Sequence, residues 1–120
     1  MLKKGQAYER IATNYLKQKG LVLVENNYHC RFGEIDLIMM QQDILCFIEV
    51  KYRKGSDFGG AAATIHRKKQ QKIIKTAQIY LSQNSRFKNQ NCRFDAIIIQ
   101  QPAIGNNMDL NWIQNAFYAE

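Results

Sequence analysis

Residues 34–51 read EIDLIMMQQDILCFIEVK, and this stretch decides the fold because two β-rich runs in it are joined by a polar connection. The runs cover residues 34–39 and 44–51, and the polar residues 41–43 between them favour a tight turn. The stretch therefore predicts a β-hairpin. Apart from Asp43 in the turn, its charged residues lie at the end away from the turn: Glu34, Asp36, Glu49 and Lys51.

The alternation of side chains along a strand predicts which of these residues share a face. On the first strand we expect Glu34 and Asp36 on one face, and Ile35 and Leu37 on the other. On the second strand Glu49 follows the apolar residues of its own face. Each strand thus has one apolar face and one face that changes from apolar to charged toward the open end of the hairpin.

A turn at residues 41–44 places Asp36 opposite Glu49 and Glu34 opposite Lys51. Facing carboxylates, with Cβ atoms about 5 Å apart, repel each other unless a cation lies between them. A site with carboxylate oxygens and few histidine side chains suits Mg²⁺ or Mn²⁺, which complete their coordination with water and substrate phosphate. Lys51 would then hold or deprotonate the attacking water and offset phosphate charge. The pattern therefore predicts a metal site for phosphodiester hydrolysis.

An interpretation without catalysis fits the same spacing. Glu34 and Lys51 would form an ordinary cross-strand ion pair, and Asp36 would be a strand-end residue in water. A carboxylate followed by E-x-K also occurs often by chance, so the spacing alone leaves both interpretations open.

The chain of 120 residues and 14.0 kDa has the size of one domain, so we predict a single domain over residues 1–120. Hydrophobic residues make up 46% and charged residues 22%, which excludes extensive disorder. Because no apolar run approaches ~20 residues, we expect a cytoplasmic protein that does not enter a membrane. Cys30, Cys46 and Cys92 form no C-x-x-C pair, so we expect reduced, mostly buried thiols.

Hydrophobic periodicity on either side of the hairpin predicts the remaining elements. Helices are expected over residues 4–19 and from Thr64, as N-cap, to about residue 81. Further strands are expected at 21–29, 94–99 and 110–114, and loops at 53–60 and 102–109. The order αβββαβ with a short C-terminal strand predicts an α/β fold, a central mixed β-sheet flanked by α-helices.

Positive charge is concentrated in the second half of the chain. The sequence has 17 Lys and Arg against 10 Asp and Glu, a net charge of +7. No acidic residue occurs between Phe58 and Phe94, where basic residues are frequent. Nucleic acid follows as a hypothetical partner, because a basic face gains affinity for phosphates by releasing counterions. A solvated charged helix face explains the charge equally well.

The second helix carries most of the candidate nucleic-acid-binding residues. Its apolar stripe places His66, Lys69 and Gln70 on the inward face, over the charged end of the hairpin. Lys69 or Gln70 would orient a scissile phosphate there, although a bond from Gln70 to a loop is an equally good interpretation. Four basic residues lie largely off the stripe and are expected to contact phosphates without reading bases: Arg67, Lys68, Lys72 and Lys75.

Two smaller groups complete the candidates. An ion pair between Arg93 and Asp95 that positions strand ends is the favoured interpretation of these two residues. Tyr52, Phe58 and Arg53, beside the glycine-rich loop, would stack on or grip exposed nucleic acid. Aromatic residues in such positions are as often packing residues.

Short blocks spread over nearly the whole chain resemble the bacterial YraN-like family. The blocks are GEIDLI (33–38), FIEVKYR (47–53), FGGAA (58–62), KQ (69–70), CRFD (92–95), WI (112–113) and AF (116–117). That family looks like a branch of the PD-(D/E)xK nuclease superfamily, similar to archaeal Holliday-junction resolvases. The resemblance implies a restriction-endonuclease-like fold and a Mg²⁺- or Mn²⁺-dependent endonuclease acting on DNA, with structured or branched DNA as substrate.

Carried over residue by residue, the resemblance implies that Asp36 and Glu49 bind the metal and that Lys51 is the catalytic lysine. Resolvase-like members also use a glutamate of the first helix, and Glu9 matches it as a further metal ligand. The sequence departs from the superfamily at Ile35, which stands where a proline usually precedes the aspartate. Resolvase-like branches lack this proline as well.

The sequence therefore favours a metal-dependent DNA nuclease whose catalytic residues are Asp36, Glu49, Lys51, Glu9 and Gln70. A non-catalytic nucleic-acid-binding module on the same fold is the alternative, and an adaptor for a protein partner is a third interpretation. Symmetrical cleavage of two strands would favour a two-fold homodimer.

Overall fold

The computed structural model describes residues 4–55, 65–102, 104–105 and 107–119. Its elements are α1 (Lys4–Gln18), β1 (Val22–Cys30), β2 (Gly33–Gln41), β3 (Ile44–Lys54), α2 (Arg67–Gln83), β4 (Asn91–Gln101) and β5 (Asp109–Phe117), with a 3-10 turn at Ser85–Phe87. Over the described part of the chain, the elements thus confirm the expected order αβββαβ with a C-terminal strand.

The strands form one sheet in their order along the chain, β1-β2-β3-β4-β5. Neighbouring strands are antiparallel except β3 and β4, which are parallel because α2 lies in the crossover between them. The pairing of β3 with β4 runs unbroken from Ile44↔Asn91 to Lys54↔Gln101, so β3 is held along its whole length. An α/β fold with a mixed sheet and helices is therefore confirmed.

Each face of the sheet is covered by one helix. On one face, Leu16 of α1 packs in a hydrophobic cluster with Ile48. On the other, Tyr80 of α2 packs in a second cluster with Phe47. Neighbouring residues of β3 therefore face different helices, which explains why the apolar run of this strand is nearly continuous.

Regular alternation fails in β2 at Asp36. Ile35 packs in the cluster on the α2 side and Leu37 in the cluster on the α1 side, so the prediction that they share a face is wrong. At the same level of the neighbouring strand β1, Asn27 has a φ of 53°. Asparagine tolerates this left-handed conformation better than most residues, and the irregularity displaces Asp36 from the regular pleat.

Sheet pairing extends three strands beyond the predicted limits, and β4 covers Asn91–Gln101 instead of residues 94–99. β3 continues through Arg53 to Lys54, which were expected in a loop, because both residues pair with β4. β5 starts at Asp109 and is 9 residues long instead of short, because its pairing with β4 begins at Gln100. Hydrogen bonding to a central strand thus outweighs the local glycine and charge content.

Helix α2 begins at Arg67, and His66 occupies the N-cap position without a capping hydrogen bond from its side chain. The expected N-cap, Thr64, lies outside the described residues. Phe58 and the glycines of the neighbouring loop, at residues 59–60, also lie outside them.

A buried ion pair anchors β4 to β5. Arg93 Nε and Nη2 donate to the two carboxylate oxygens of Asp95, both at 2.9 Å, and Asp95 is fully buried. From β5, Trp112 Nε1 and the backbone N–H of Asn115 donate to the same carboxylate at 3.0 Å. The predicted Arg93–Asp95 pair is confirmed, and it fixes the ends of two strands.

The three cysteines are free thiols that differ in exposure. Cys46 is buried, Cys30 is half-buried and Cys92 is exposed, so the expectation of mostly buried thiols holds only in part. None of the helices in the described residues has the length and apolar character needed to cross a membrane.

Candidate active site

The site begins where β2 and β3 separate. The predicted register of the hairpin is confirmed as far as the pair Leu37↔Ile48, where the backbone pairing ends. Beyond this point, Asp36 Oδ2 accepts a hydrogen bond from the backbone N–H of Val50 at 2.8 Å. The carboxylate thus takes the place of a backbone partner and is held beside Glu49, the residue that precedes Val50.

Glu34 and Lys51 are not paired across the hairpin, contrary to the prediction. Glu34 is exposed and pairs with His29 of β1. Lys51 is half-buried and pairs with Ile98 of β4. Because the two strands have separated at this level, the cross-strand ion pair loses its geometric basis.

Asp36 lies in surroundings that oppose its ionisation. Burial is the main cause that raises its pKa, and the charges of Glu49 and Glu9 raise it further. The hydrogen bond from Val50 and the charge of Lys69 act in the opposite direction, and the resulting pKa is about 8. At neutral pH the metal-free Asp36 is therefore largely protonated, and a bound cation would favour its ionised form.

Glu9 reaches Asp36 from α1. Burial raises the pKa of Glu9, hydrogen bonds with Asn27 and Asp36 lower it, and the charges of Glu34 and Glu49 raise it. The net pKa lies above the ordinary value. Its Oε1 is buried without a hydrogen-bond partner, which is unfavourable for a carboxylate unless a proton or a cation approaches it. The structure therefore brings Glu9, implied by the resemblance, to the predicted aspartate.

Glu49 and Lys69 form an ion pair between the sheet and α2. Lys69 Nζ lies 2.5 Å from Glu49 Oε1, and the two side chains are 50% and 8% exposed, respectively. Burial acts to lower the pKa of Lys69, but its hydrogen bond with Glu49 and the charges of Glu49, Asp36 and Glu34 outweigh burial and raise the pKa. Lys69 is therefore a stable counter-ion of this carboxylate in the metal-free protein.

Lys51 follows Glu49 by two residues, on the same face of β3. Burial lowers the pKa of Lys51, and the charges of Lys69 and Arg53 lower it further against the opposing charge of Glu49. A lysine with a lowered pKa exchanges a proton more readily near neutral pH. Arg53, two residues further along, donates from Nη1 to the backbone oxygen of Tyr52 at 3.1 Å.

A cavity of about 620 Å³ lies over Asp36 and Glu49, between the sheet and α2. Gly33 lines it, and a Cβ at this position would lie 3.2 Å from Thr76 Oγ1, so glycine allows α2 to pack closely over the start of β2. The charged residues of the cavity form two walls. The sheet supplies an acidic wall of Glu34, Asp36 and Glu49. The helix supplies a basic wall of Lys68, Lys69 and Lys72, with His66 beside it. A phosphate together with a metal cation would match both walls.

The predicted nucleic-acid-binding residues of α2 lie on two surfaces. Lys68 and Lys72 line the cavity with the carboxylates. Arg67 and Lys75 line a groove elsewhere on α2, and Lys75 Nζ also lies 4.3 Å above the ring of Phe32. The helix therefore offers one basic surface at the carboxylates and another beside them.

Gln70 and Tyr52 make structural contacts. Gln70 Nε2 donates to the backbone oxygen of Ile65 at 2.7 Å, which is the loop bond considered as its alternative role. Tyr52 stacks on Tyr8 of α1 with ring centroids 4.0 Å apart, and its hydroxyl donates to Gln101 Oε1 at 2.8 Å. The structure thus does not bring Gln70 to the carboxylates, and Tyr52 packs against a protein ring.

The oxygen ligands at the site fit a hard divalent cation. Within the described ranges, no three His, Cys, Asp or Glu side chains form a complete metal-binding group. Mg²⁺ and Mn²⁺ do not require one, since one or two carboxylates with water and substrate phosphate commonly bind them. Asp36 and Glu49 supply such carboxylates, and Glu9, whose Oε1 has no hydrogen-bond partner, contacts Asp36 with its side chain. Oxygen ligands of this kind suit Mg²⁺ or Mn²⁺ better than zinc.

Asn27 is a site residue that the sequence reasoning missed. Its left-handed conformation accompanies the displacement of Asp36, and its side chain hydrogen-bonds Glu9. The available signal was the Asn26-Asn27 pair inside a predicted strand, because asparagine is depleted in strands yet tolerates a positive φ.

The fold and this site define an α/β protein with partly buried carboxylates beside a basic helix. Residues 8–99 match the sequence profile of the Uncharacterised protein family UPF0102, and the chain belongs to this family. This is the YraN-like family that the sequence blocks indicated.

Relatives of similar length support the family assignment. A UPF0102 protein of Psychromonas ingrahamii is 53% identical over 116 residues, which cover 95% of this chain and 88% of the relative. A UPF0102 protein of Stutzerimonas stutzeri is 44% identical over 113 residues, with 94% and 92% covered. A UPF0102 protein of Vibrio parahaemolyticus is 46% identical over 112 residues, with 93% and 89% covered.

Proposed function

We propose that this protein is a metal-dependent nuclease that hydrolyses phosphodiester bonds in DNA, on a restriction-endonuclease-like fold. The observation that carries the proposal is the convergence of Asp36, Glu49 and Glu9 at the point where β2 and β3 separate. The pKa values of Asp36 and Glu9 are both raised. Grouped carboxylates with perturbed pKa values are typical of functional sites, because a fold gains no stability from such a cluster on its own.

Asp36 and Glu49, with Glu9, would hold Mg²⁺ or Mn²⁺. Such a cation, when bound, polarises the phosphate and makes water a stronger nucleophile. The hydrogen bond from Val50 fixes the Asp36 carboxylate, and pairing with β4 fixes the backbone of Glu49. These contacts orient the ligands before any cation arrives.

Lys51 would orient or deprotonate the attacking water, or offset charge on the phosphate. Its position two residues after Glu49 and its lowered pKa support these roles. Gln70 takes no part in this proposal, because its amide is bonded to the backbone at the start of α2.

The basic residues would bind the phosphates of the DNA. Lys68 and Lys72 lie at the cavity itself, Arg67 and Lys75 extend the surface along α2, and Arg53 extends it along β3. Binding of this kind neutralises phosphates irrespective of base sequence. The preference for structured or branched DNA, and a two-fold dimer to cut both strands of it, rest on the resemblance to resolvases alone.

The test is cleavage of a four-way DNA junction and of a linear duplex with the same sequence. We expect cleavage with Mg²⁺ or Mn²⁺ but not with EDTA, and none by Asp36→Asn or Glu49→Gln. Asp43→Asn is the matched control, because Asp43 is an exposed acid in the turn at the far end of the same hairpin. Equal cleavage by the wild type and Asp36→Asn would disprove the assignment.

A non-catalytic nucleic-acid-binding module is the second candidate. It is favoured by the Lys69–Glu49 ion pair, since a carboxylate that already has a counter-ion does not need a metal ion. Salt-sensitive binding of DNA or RNA, without cleavage of any substrate in Mg²⁺ or Mn²⁺, would establish this function instead.

A further inference from the structure

We propose that Lys69 and the metal ion compete for Glu49, and that the displaced Lys69 binds the substrate phosphate. The inference rests on the proposed function and adds a positioning role for Lys69. In the metal-free protein, Lys69 Nζ lies 2.5 Å from Glu49 Oε1, so it occupies an oxygen of a carboxylate that would hold the metal ion. Two cations cannot share this oxygen without strong repulsion in a partly buried site.

The two partners of the ion pair differ in their freedom to move. Glu49 is 8% exposed, and its strand is hydrogen-bonded to β4 on either side of it. Lys69 is 50% exposed and extends from the first turn of α2 on a flexible four-carbon stem. When a metal ion replaces Lys69 at Glu49, the lysine side chain therefore moves and the carboxylate stays in place.

The cavity determines where the displaced ammonium group finds its next partner. Lys69 lines the cavity together with Lys68 and Lys72, on the wall that faces the carboxylates. A phosphate held at the acidic wall by the cation would lie between the two walls. Lys69 then exchanges a carboxylate oxygen for a phosphate oxygen and remains paired with an anion throughout.

This arrangement explains why the cavity is lined by both acidic and basic residues. Without metal, Lys69 neutralises the Glu49 carboxylate beside the largely protonated Asp36. With metal and DNA, the same lysine neutralises the incoming phosphate.

The first experiment measures Mn²⁺ affinity by calorimetric titration in the absence of nucleic acid. Lys69→Met removes the charge and keeps much of the stem, so we expect it to bind Mn²⁺ about tenfold more tightly than the wild type. Lys68→Met is the matched control, since Lys68 is the preceding residue and lines the same cavity without an ion pair to Glu49 among the described contacts. Its Mn²⁺ affinity should stay within about twofold of the wild type.

The second experiment measures affinity for a four-way DNA junction with and without Mn²⁺, at low temperature and with the DNA verified as intact. The wild type should bind the junction more tightly when Mn²⁺ is added. Lys69→Met should lose most of this gain in affinity for the junction. Lys69→Arg keeps the positive charge, so it should bind Mn²⁺ as weakly as the wild type and keep part of the gain. Circular dichroism verifies the fold, and Lys69→Gln replaces the methionine variant if the latter is unfolded.

The outcomes separate the inference from the proposed function. Unchanged or weaker Mn²⁺ binding by Lys69→Met, with Asp36→Asn still abolishing Mn²⁺ binding, would overturn the competition and keep the metal site. Absence of Mn²⁺ binding by the wild type and Lys69→Met alike would overturn the proposed function together with the inference.

Discussion

Asp36 Oδ2 accepts a hydrogen bond from the backbone N–H of Val50 at 2.8 Å, across the gap that opens where β2 and β3 cease to pair. The bond ties the carboxylate to the strand that carries Glu49, so the sheet itself sets the relative position of the two acids. Side chains on strands are held in a more precise geometry than side chains on loops. A mobile segment is therefore not needed to assemble the acidic wall.

The stability of the metal-free protein should depend on pH through Asp36. Its pKa is about 8 in the folded protein against 3.8 ordinarily, so between these values the native state keeps a proton that the unfolded chain releases. Stability therefore falls as pH rises through this window. Asp36→Asn should remove most of the fall and exceed the wild type at pH 8 by at least about 1 kcal/mol.

Urea unfolding in EDTA at pH 5 and pH 8 measures this difference. Asp43→Asn, on the exposed turn, should keep the wild-type dependence on pH. The interpretation of Asp36 is wrong if all three proteins lose the same stability between the two pH values.

Lys51 and Glu34 should behave as unrelated residues. Lys51→Ala should lower the single-turnover cleavage rate by roughly two to four orders of magnitude, the usual scale for an acid–base group, while its stability changes by less than about 1 kcal/mol. Lys51→Arg should recover part of the rate, because the planar guanidinium group of arginine only partly replaces the compact ammonium group of lysine. Glu34→Ala should stay within a few-fold of the wild-type rate, since Glu34 is exposed and pairs with β1.

Melting temperatures and single-turnover rates measured side by side distinguish these roles. Similar small losses of stability in Lys51→Ala and Glu34→Ala, with full activity in both, would restore the cross-strand ion pair and end the nuclease mechanism.

All four basic residues of α2 should contribute to DNA binding, but only the two at the cavity should also contribute to cleavage. Replacing Lys68 and Lys72, or Arg67 and Lys75, with alanine should reduce the slope of log affinity against log salt by about two. Loss of Lys68 and Lys72 should also slow cleavage at saturating DNA, because these residues line the cavity of the carboxylates. A wild-type salt slope in both double variants would show that this helix face is merely solvated.

The Arg93–Asp95 pair should be structural and separable from activity. Arg93→Leu leaves a fully buried Asp95 without its counter-ion and should cost about 3–5 kcal/mol of stability. Trp112, the single tryptophan, donates to the same carboxylate, so its fluorescence reports unfolding directly. A loss below about 1 kcal/mol in Arg93→Leu would contradict the account of this pair.

The sheet could be predicted because its signals are local. The polar residues 41–43 fix the turn, and the apolar runs beside them fix the register that β2 and β3 adopt as far as Leu37↔Ile48. The limits of β3 and β5 could not be predicted, because Arg53 and Asp109 are ordered by pairing with β4 and not by their own preferences.

The candidate site could be predicted by residue type but not by geometry. Asp36, Glu49 and Glu9 do converge, yet the regular pleat assumed for β2 fails beside Asn27. The contacts of Lys69 and Gln70 also depend on tertiary packing. The apolar stripe predicts that both lie on the inward face of the helix, but Lys69 bonds Glu49 and Gln70 bonds the backbone of Ile65.

The most direct test of the metal site is a crystal soaked in Mn²⁺ and measured at a wavelength that reveals manganese. We expect one anomalous peak at about 2.1 Å from carboxylate oxygens of both Asp36 and Glu49, with Lys69 moved away from Glu49. A map without a peak at saturating Mn²⁺, in which Lys69 still contacts Glu49, would contradict the account.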